Sequence, residues 1–283
     1  MKRKLNIKNL LILVLPCLCL CFGLVFLFLP KEDKPVSKPS EAKEKVKTDT
    51  KSLKTFLEIL QEPVGQTMYI WGGGWNEEDT GAGKEALTLG VSKKWKEFFL
   101  QQDSSYNMEN HLYEIHNGLD CSGYVGWAIY NLMETKSNQG SGYVMLASEM
   151  ASTFSENGWG SYTPRLQVTD YKPGDIMSNE EHVYVVLGTM DDGSVLLIHS
   201  SPPGVRICGT PNSAGSSLSM ANELAESIMS EYYPDWYAKY PSVNVDSTYL
   251  TNYDQFRWNK DTLKDAQKIQ MMSGNEIIEL LYE

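Results

Sequence analysis

The segment from His182 to His199 leaves the chain few ways to fold. His182-Val183-Tyr184-Val185-Val186-Leu187-Gly188 and Ser194-Val195-Leu196-Leu197-Ile198-His199 are apolar or β-branched almost throughout, and only residues 189–193 separate them. Two such runs around a turn that contains Asp and Gly read as an antiparallel hairpin. Side chains alternate across a strand, so the register of the hairpin decides which residues share a face. Two competing registers keep His182 and His199 on one face. A two-residue Asp192-Gly193 turn sets His199 opposite Val186, which leaves the histidines about 13 Å apart along the strand. A four-residue loop, Thr189 to Asp192, pairs Gly188 with Gly193 and brings the histidines directly opposite each other. Turn chemistry favours the first register. A shared role for the histidines favours the second, which is the expectation adopted, because local rules are most often overridden at sites.

A second constraint lies upstream. Asn117-Gly118-Leu119 is a turn-prone break before Asp120-Cys121-Ser122-Gly123, and Tyr124, Val125, Ala128, Ile129 and Leu132 then mark one face of a helix. Cys121 thus falls at a helix N-terminus with Asp120 as N-cap. Unpaired N–H groups and the helix dipole favour an anion there, so a thiolate is expected to be stabilised and an oxyanion can be received by the same amides. A cysteine nucleophile needs a base, and the hairpin histidines can supply one. Alone, Cys121 could equally be a small buried hydrophobe, and either histidine a structural one.

The order of motifs resembles that of the NlpC-type cell-wall cysteine peptidases, a bacterial branch of the papain-like group. The matching pieces are Tyr69-Ile70-Trp71-Gly72-Gly73, Asp120-Cys121-Ser122-Gly123-Tyr124-Val125, Pro173-Gly174-Asp175-Ile176, His182-Val183 through Leu187-Gly188, and Ile198-His199-Ser200 followed by Gly204-Val205. The resemblance implies an α+β, papain-like fold in which the helix carrying the nucleophile packs on an antiparallel sheet. It implies Cys121 as nucleophile, His182 as base and His199 as the orienting residue. It also implies Tyr69 near the oxyanion site, with Asp120 and Ser122 close to bound peptide. The implied reaction is cleavage of a peptidoglycan stem peptide between D-glutamate and a diamino acid, through a thioester and without a metal or organic cofactor. Two rival readings share these residues: an acyltransferase that passes the thioester to an amine, and a non-catalytic wall-binding protein. Three departures from the family pattern stand out: 46 residues between Gly73 and Asp120, a longer loop between the histidine strands, and the extension 210–283.

The N-terminal part reads differently. From Leu10 to Leu29 twenty residues carry no charge, enough to span a ~30 Å hydrocarbon core as a transmembrane helix. A cleaved signal peptide is the alternative, but the run exceeds the usual apolar core of one and no small-x-small site follows. Residues 30–50, rich in Lys, Glu, Pro and Ser, read as a flexible linker. The expected organisation is a cytoplasmic tail over 1–9, a membrane anchor over 10–29, the linker, a catalytic domain over 51–209 with an insertion at 76–116, and the C-terminal extension. Lysines flank the apolar run on both sides and do not decide its orientation. The family resemblance places the domain outside the cytoplasm on a single-pass anchor. Residues 1–50 hold ten Lys/Arg against five Asp/Glu, so of the net charge of −11 the remainder carries −16. A domain that acidic argues against nucleic acid as a partner.

Smaller features have plainer readings. Leu53, Phe56, Leu57 and Leu60 recur at helical spacing before Pro63, a second helix is expected around Trp95 to Leu100, and a further one from Leu263 to Leu281 with a break at Ser273-Gly274. Glu109, His111, Glu114 and His116 lack the spacing that puts two metal ligands on one helical face, and no metal is expected there. Tyr232, Tyr233, Trp236, Tyr237 and Tyr240 read as packing aromatics. Cys208, in Val205-Arg206-Ile207-Cys208, alternates like a strand residue and reads as buried and inert.

Overall fold

A computed structural model describes residues 51–74, 89–134 and 143–282. The expected cytoplasmic tail, transmembrane run and linker, and residues 76–88 of the insertion, lie outside the described residues. Within them no helix is long and apolar enough to cross a membrane.

Seven helices and six strands are described: α1 (Leu53–Gln61), α2 (Lys93–Gln101), α3 (Cys121–Met133), α4 (Ala147–Glu156), β1 (Gly160–Thr163), β2 (Ile176–Ser178), β3 (Val183–Thr189), β4 (Val195–Ser201), β5 (Gly204–Gly209), α5 (Met220–Tyr232), α6 (Pro234–Tyr237), β6 (Asp254–Trp258) and α7 (Gly274–Tyr282). The strands form one antiparallel sheet in the order β1-β6-β2-β3-β4-β5. The chain is therefore α+β, with helices on an antiparallel sheet as expected.

Each face of the sheet follows from the alternation of its strands. Val183, Val185, Leu187, Leu196, Ile198, Val205 and Ile207 point into the main core with α1, α3 and α5. Met177, Tyr184, Val186, Val195, Leu197 and Cys208 point the other way, where Tyr253 and the partly buried Tyr171, Tyr249 and Leu250 cover them. Hydroxyl groups fasten this cover: Tyr184 donates to the Tyr249 carbonyl at 2.6 Å and Tyr171 to the Leu250 carbonyl at 2.5 Å.

Helix α3 was expected to bury one face. Instead every residue from Cys121 to Leu132 is buried, because α1, α4 and residues 143–145 enclose the sides that the sheet leaves open. Its apolar residues run all round, the pattern of a central helix. Gly126 makes the enclosure possible, since a Cβ there would meet the Val144 backbone at 2.9 Å. Tyr124 spans to α1 and donates to the Leu60 carbonyl at 2.6 Å.

The extension from residue 210 belongs to the sheet. β6 lies between β1 and β2, pairing Trp258 with Gly160 and Phe256 with Ile176. Trp236 is fully buried and stacks on Phe99 at 5.4 Å, while Tyr233 and Tyr282 join their hydroxyls at 2.9 Å. The helix expected from Leu263 begins only at Gly274; ahead of it Ile269–Met271 make a single 3-10 turn after Lys268, whose φ is 58°.

Candidate active site

Asp120 builds the N-terminus of α3 and joins it to the preceding glycine motif. Its backbone is extended, and its carboxylate accepts the Gly123 amide at 2.6 Å, the Ser122 hydroxyl at 3.1 Å and the Gly72 amide at 3.2 Å. The Asp120 amide in turn donates to the Gly73 carbonyl at 3.1 Å. The two segments meet so closely that a Cβ on Gly123 would lie 1.9 Å from the Gly73 oxygen. Both motifs are glycine-rich because two backbones share one space. Asp120 and Ser122 are buried in this cap.

Cys121 follows the cap as expected, and the residue is 7% exposed. The amides of Val183, Ser122 and Cys121 itself point to the sulfur and favour its anion, which is the effect expected of a helix N-terminus. Burial and the neighbouring Asp120 carboxylate outweigh them and push the thiol up to about 12. The expectation of a stabilised resting thiolate is thus corrected: the residue that caps the helix also repels charge on the sulfur. Tyr69 is buried beside the pair, its hydroxyl pKa raised by burial and by Cys121 and Asp120. Its backbone is held at both ends, the amide on the Pro203 carbonyl at 2.8 Å and the carbonyl by the Tyr106 hydroxyl at 2.5 Å.

His182 stands just before β3. Asn179 folds the turn that presents it, accepting the amides of Glu181 and His182 at 2.9 and 2.8 Å, while the Asn179 amide returns to the His182 carbonyl at 2.9 Å. His182 Nε2 and His199 Nδ1 are 3.0 Å apart. The two histidines therefore meet, yet by neither expected register.

The turn is a three-residue loop, Asp191-Asp192-Gly193. Met190 and Ser194 close it at 2.8 Å, and Gly193 takes φ 80° to complete it. That loop pairs Thr189 with Val195 and Gly188 with Leu196. Continued unchanged, it would put the histidines on opposite faces. A bulge between Val186 and Gly188 absorbs one residue, after which Val186 pairs with Leu197 and Val185 with Ile198. One place further on, Tyr184 faces His199, so the histidines are diagonal neighbours on one face.

Burial and the Arg206 guanidinium push His182 down to about 3, and His199, fully buried, is pushed down for the same reasons. The resting pair is therefore neutral. Tyr249 and Tyr253 wall the rings, with centroids 5.7 and 6.4 Å from His182. The Val183 amide is among the backbone groups that favour charge on the Cys121 sulfur, which puts the thiol at the histidine end of the sheet; among the described residues no imidazole hydrogen-bonds to it. Behind His199 a cavity of about 660 Å³ opens, lined among others by Arg206, Ser201, Asn244, Asp246 and Tyr249 but not by Cys121.

Asn179, Arg206, Tyr249 and Tyr253 had no signal in the sequence as site residues. Asn179 precedes Glu180-Glu181 as an ordinary turn residue, and the tyrosines come from a loop some seventy residues downstream of His182. Of the acidic-histidine cluster, His111 pairs with Glu114 at 3.1 Å and stacks on Tyr106. Among the described residues no group of three or more His, Cys, Asp or Glu is placed to hold a metal ion.

No family model, curated protein or solved structure matches this chain.

Proposed function

We propose that this chain is a membrane-anchored cysteine peptidase of papain-like architecture. It would cleave the amide between D-glutamate and a diamino acid in peptidoglycan stem peptides, outside the cytoplasm. The observation that carries the reading is the 3.0 Å contact between His182 Nε2 and His199 Nδ1, at the strand end whose Val183 amide points to the Cys121 sulfur. A base held through one ring nitrogen presents the other to a thiol.

The resting site holds a neutral thiol and a neutral imidazole, because a dry site disfavours both charges. Thiolate formation is then coupled to the arrival of substrate. The Cys121 proton passes to His182 Nδ1 as the sulfur attacks the carbonyl carbon. Amides that now point to the sulfur, with Tyr69 beside them, receive the oxyanion. The C–N bond breaks as His182 returns its proton to the leaving amine, and a water activated by His182 hydrolyses the thioester. Asp120 and Ser122 hold the N-terminus of α3 in shape through the cap, and the family resemblance would put them close to bound peptide.

The burial of the thiol favours two other readings enough to require a test. A site closed to water suits transfer of the acyl group to an amine, and a permanently closed one suits a wall-binding protein. Mass spectrometry of a purified stem peptide incubated with the protein, with and without an amine acceptor, separates them. Two fragments that together gain one water support hydrolysis. A new amide product selects the acyltransferase, and an unchanged peptide selects the binding protein.

A further inference from the structure

The far ring nitrogen of His199 is also engaged. Its Nε2 lies 3.5 Å from the sulfur of Cys208 on β5, within reach for a sulfur hydrogen bond. Cys208 and His199 are both fully buried. The side chains therefore form a line: His182 Nε2 to His199 Nδ1, then His199 Nε2 to Cys208 Sγ. We propose that Cys208 is a positioning residue, the terminal acceptor of a hydrogen-bond chain that sets the tautomer of His182; the proposal rests on the reading of Cys121 and His182 as nucleophile and base.

Proton order along the line has two self-consistent forms. In one, the Cys208 thiol donates to His199 Nε2, His199 Nδ1–H donates to His182 Nε2, and the proton of His182 sits on Nδ1. That histidine has no lone pair for Cys121. In the other, His182 Nε2–H donates to His199 Nδ1, His199 Nε2–H donates to the Cys208 sulfur, and His182 Nδ1 is bare. Only the second form contains a base.

The chemistry of the last link selects the second form. A thiol is a weak donor, so leaving its S–H unused costs less than leaving an imidazole N–H without an acceptor. When His182 takes the Cys121 proton it carries protons on both nitrogens. His199 stays neutral, and no proton passes beyond it.

The test is nitrogen NMR of the full-length protein with isotope-labelled histidine, which reports which ring nitrogen carries the proton. The wild type should show His182 protonated on Nε2 and bare on Nδ1. Cys208→Ala, with no acceptor, should populate the reversed tautomer of both histidines and lower kcat on a stem peptide about five- to ten-fold, the worth of one hydrogen bond, with KM unchanged. Cys208→Ser keeps an acceptor and should restore the wild-type spectrum. A wild-type spectrum with His182 protonated on Nδ1 overturns the proposal, as does a Cys208→Ala spectrum identical to wild type. Should Cys208→Ala fail to fold, the wild-type and serine spectra decide. If no version cuts the peptide while the spectra follow the expected pattern, the substrate reading fails and the chain stands.

Discussion

Asp120 does two opposed things, and separating them is a demanding test of the site. Its carboxylate holds three donors, the Gly123 amide, the Ser122 hydroxyl and the Gly72 amide, at 2.6, 3.1 and 3.2 Å. Truncation to alanine removes an N-cap, worth about 1 kcal/mol. It also leaves the buried Gly72 amide unpaired, at about 1–3 kcal/mol. Asp120→Ala should therefore lose about 2–4 kcal/mol, which at an m-value of about 2 kcal/mol/M moves the urea midpoint down by roughly 1–2 M. Asp120→Asn keeps an oxygen for Gly123 but sets a donor against Gly72, so its loss should be smaller. On the sulfur the two variants should act alike. Each removes a charge that raises the Cys121 thiol, so the rate of alkylation by iodoacetamide should rise at lower pH than in wild type. Urea melts paired with alkylation rates against pH measure both effects. An alanine variant within about 0.5 kcal/mol of wild type, the size of an ordinary surface change, would refute the capping account. An unchanged alkylation profile would refute the electrostatic one.

Other outcomes follow from the sheet and its buried charges. Deleting Leu187 removes the bulged residue and leaves Val186 on Leu197 and Gly188 on Leu196, so the variant should lose the buried leucine, about 2–5 kcal/mol, and keep its pairing and a cooperative urea transition; complete loss of cooperative melting would contradict the register. Arg257 pairs with the fully buried Asp175 at 2.6 Å, and Arg257→Met should cost about 3–5 kcal/mol in the same assay, since it leaves a buried carboxylate without its partner. His182 resists protonation until about pH 3 when folded, against ~6.5 in the unfolded chain. Its folded pKa is depressed, so its share of stability is complete above about 6.5 and is lost as pH falls toward 3, at a slope approaching ~1.4 kcal/mol per pH unit. His182→Gln should flatten that part of the stability–pH curve, and equal slopes in the two proteins would show that the histidine is not held neutral.

What could be read in the sequence was what neighbouring residues determine. The cap and helix at Asp120-Cys121 follow from a turn, a capping side chain and apolar spacing within a dozen residues. The hairpin likewise follows from two apolar runs and the residues between them. Its register does not, because Leu187 looks like any other strand residue and becomes the bulge only when a three-residue loop meets a core that must keep Val183 and Val185 inward. β6 is five residues, Asp-Gln-Phe-Arg-Trp, and its place between β1 and β2 depends on partners about eighty to a hundred residues away. The closure of the site was hidden for the same reason. Tyr249 and Tyr253 supply the wall that dries the histidines, and nothing near His182 in the chain announces them. A helix N-terminus argues for a thiolate only while water reaches it, so the direction of the dipole was legible and the burial that outweighs it was not.

The central claim is that Cys121 forms a thioester with a peptidoglycan stem peptide. Acid quenching of the full-length protein during turnover, followed by intact and peptide-level mass spectrometry, reads that bond directly. The account predicts an adduct equal to the stem-peptide acyl fragment, mapped to Cys121, absent from Cys121→Ala and accumulating in wild type when the amide is replaced by a better leaving group. Cleavage of the stem peptide by Cys121→Ala at the wild-type rate, or an adduct on any other residue, would contradict it.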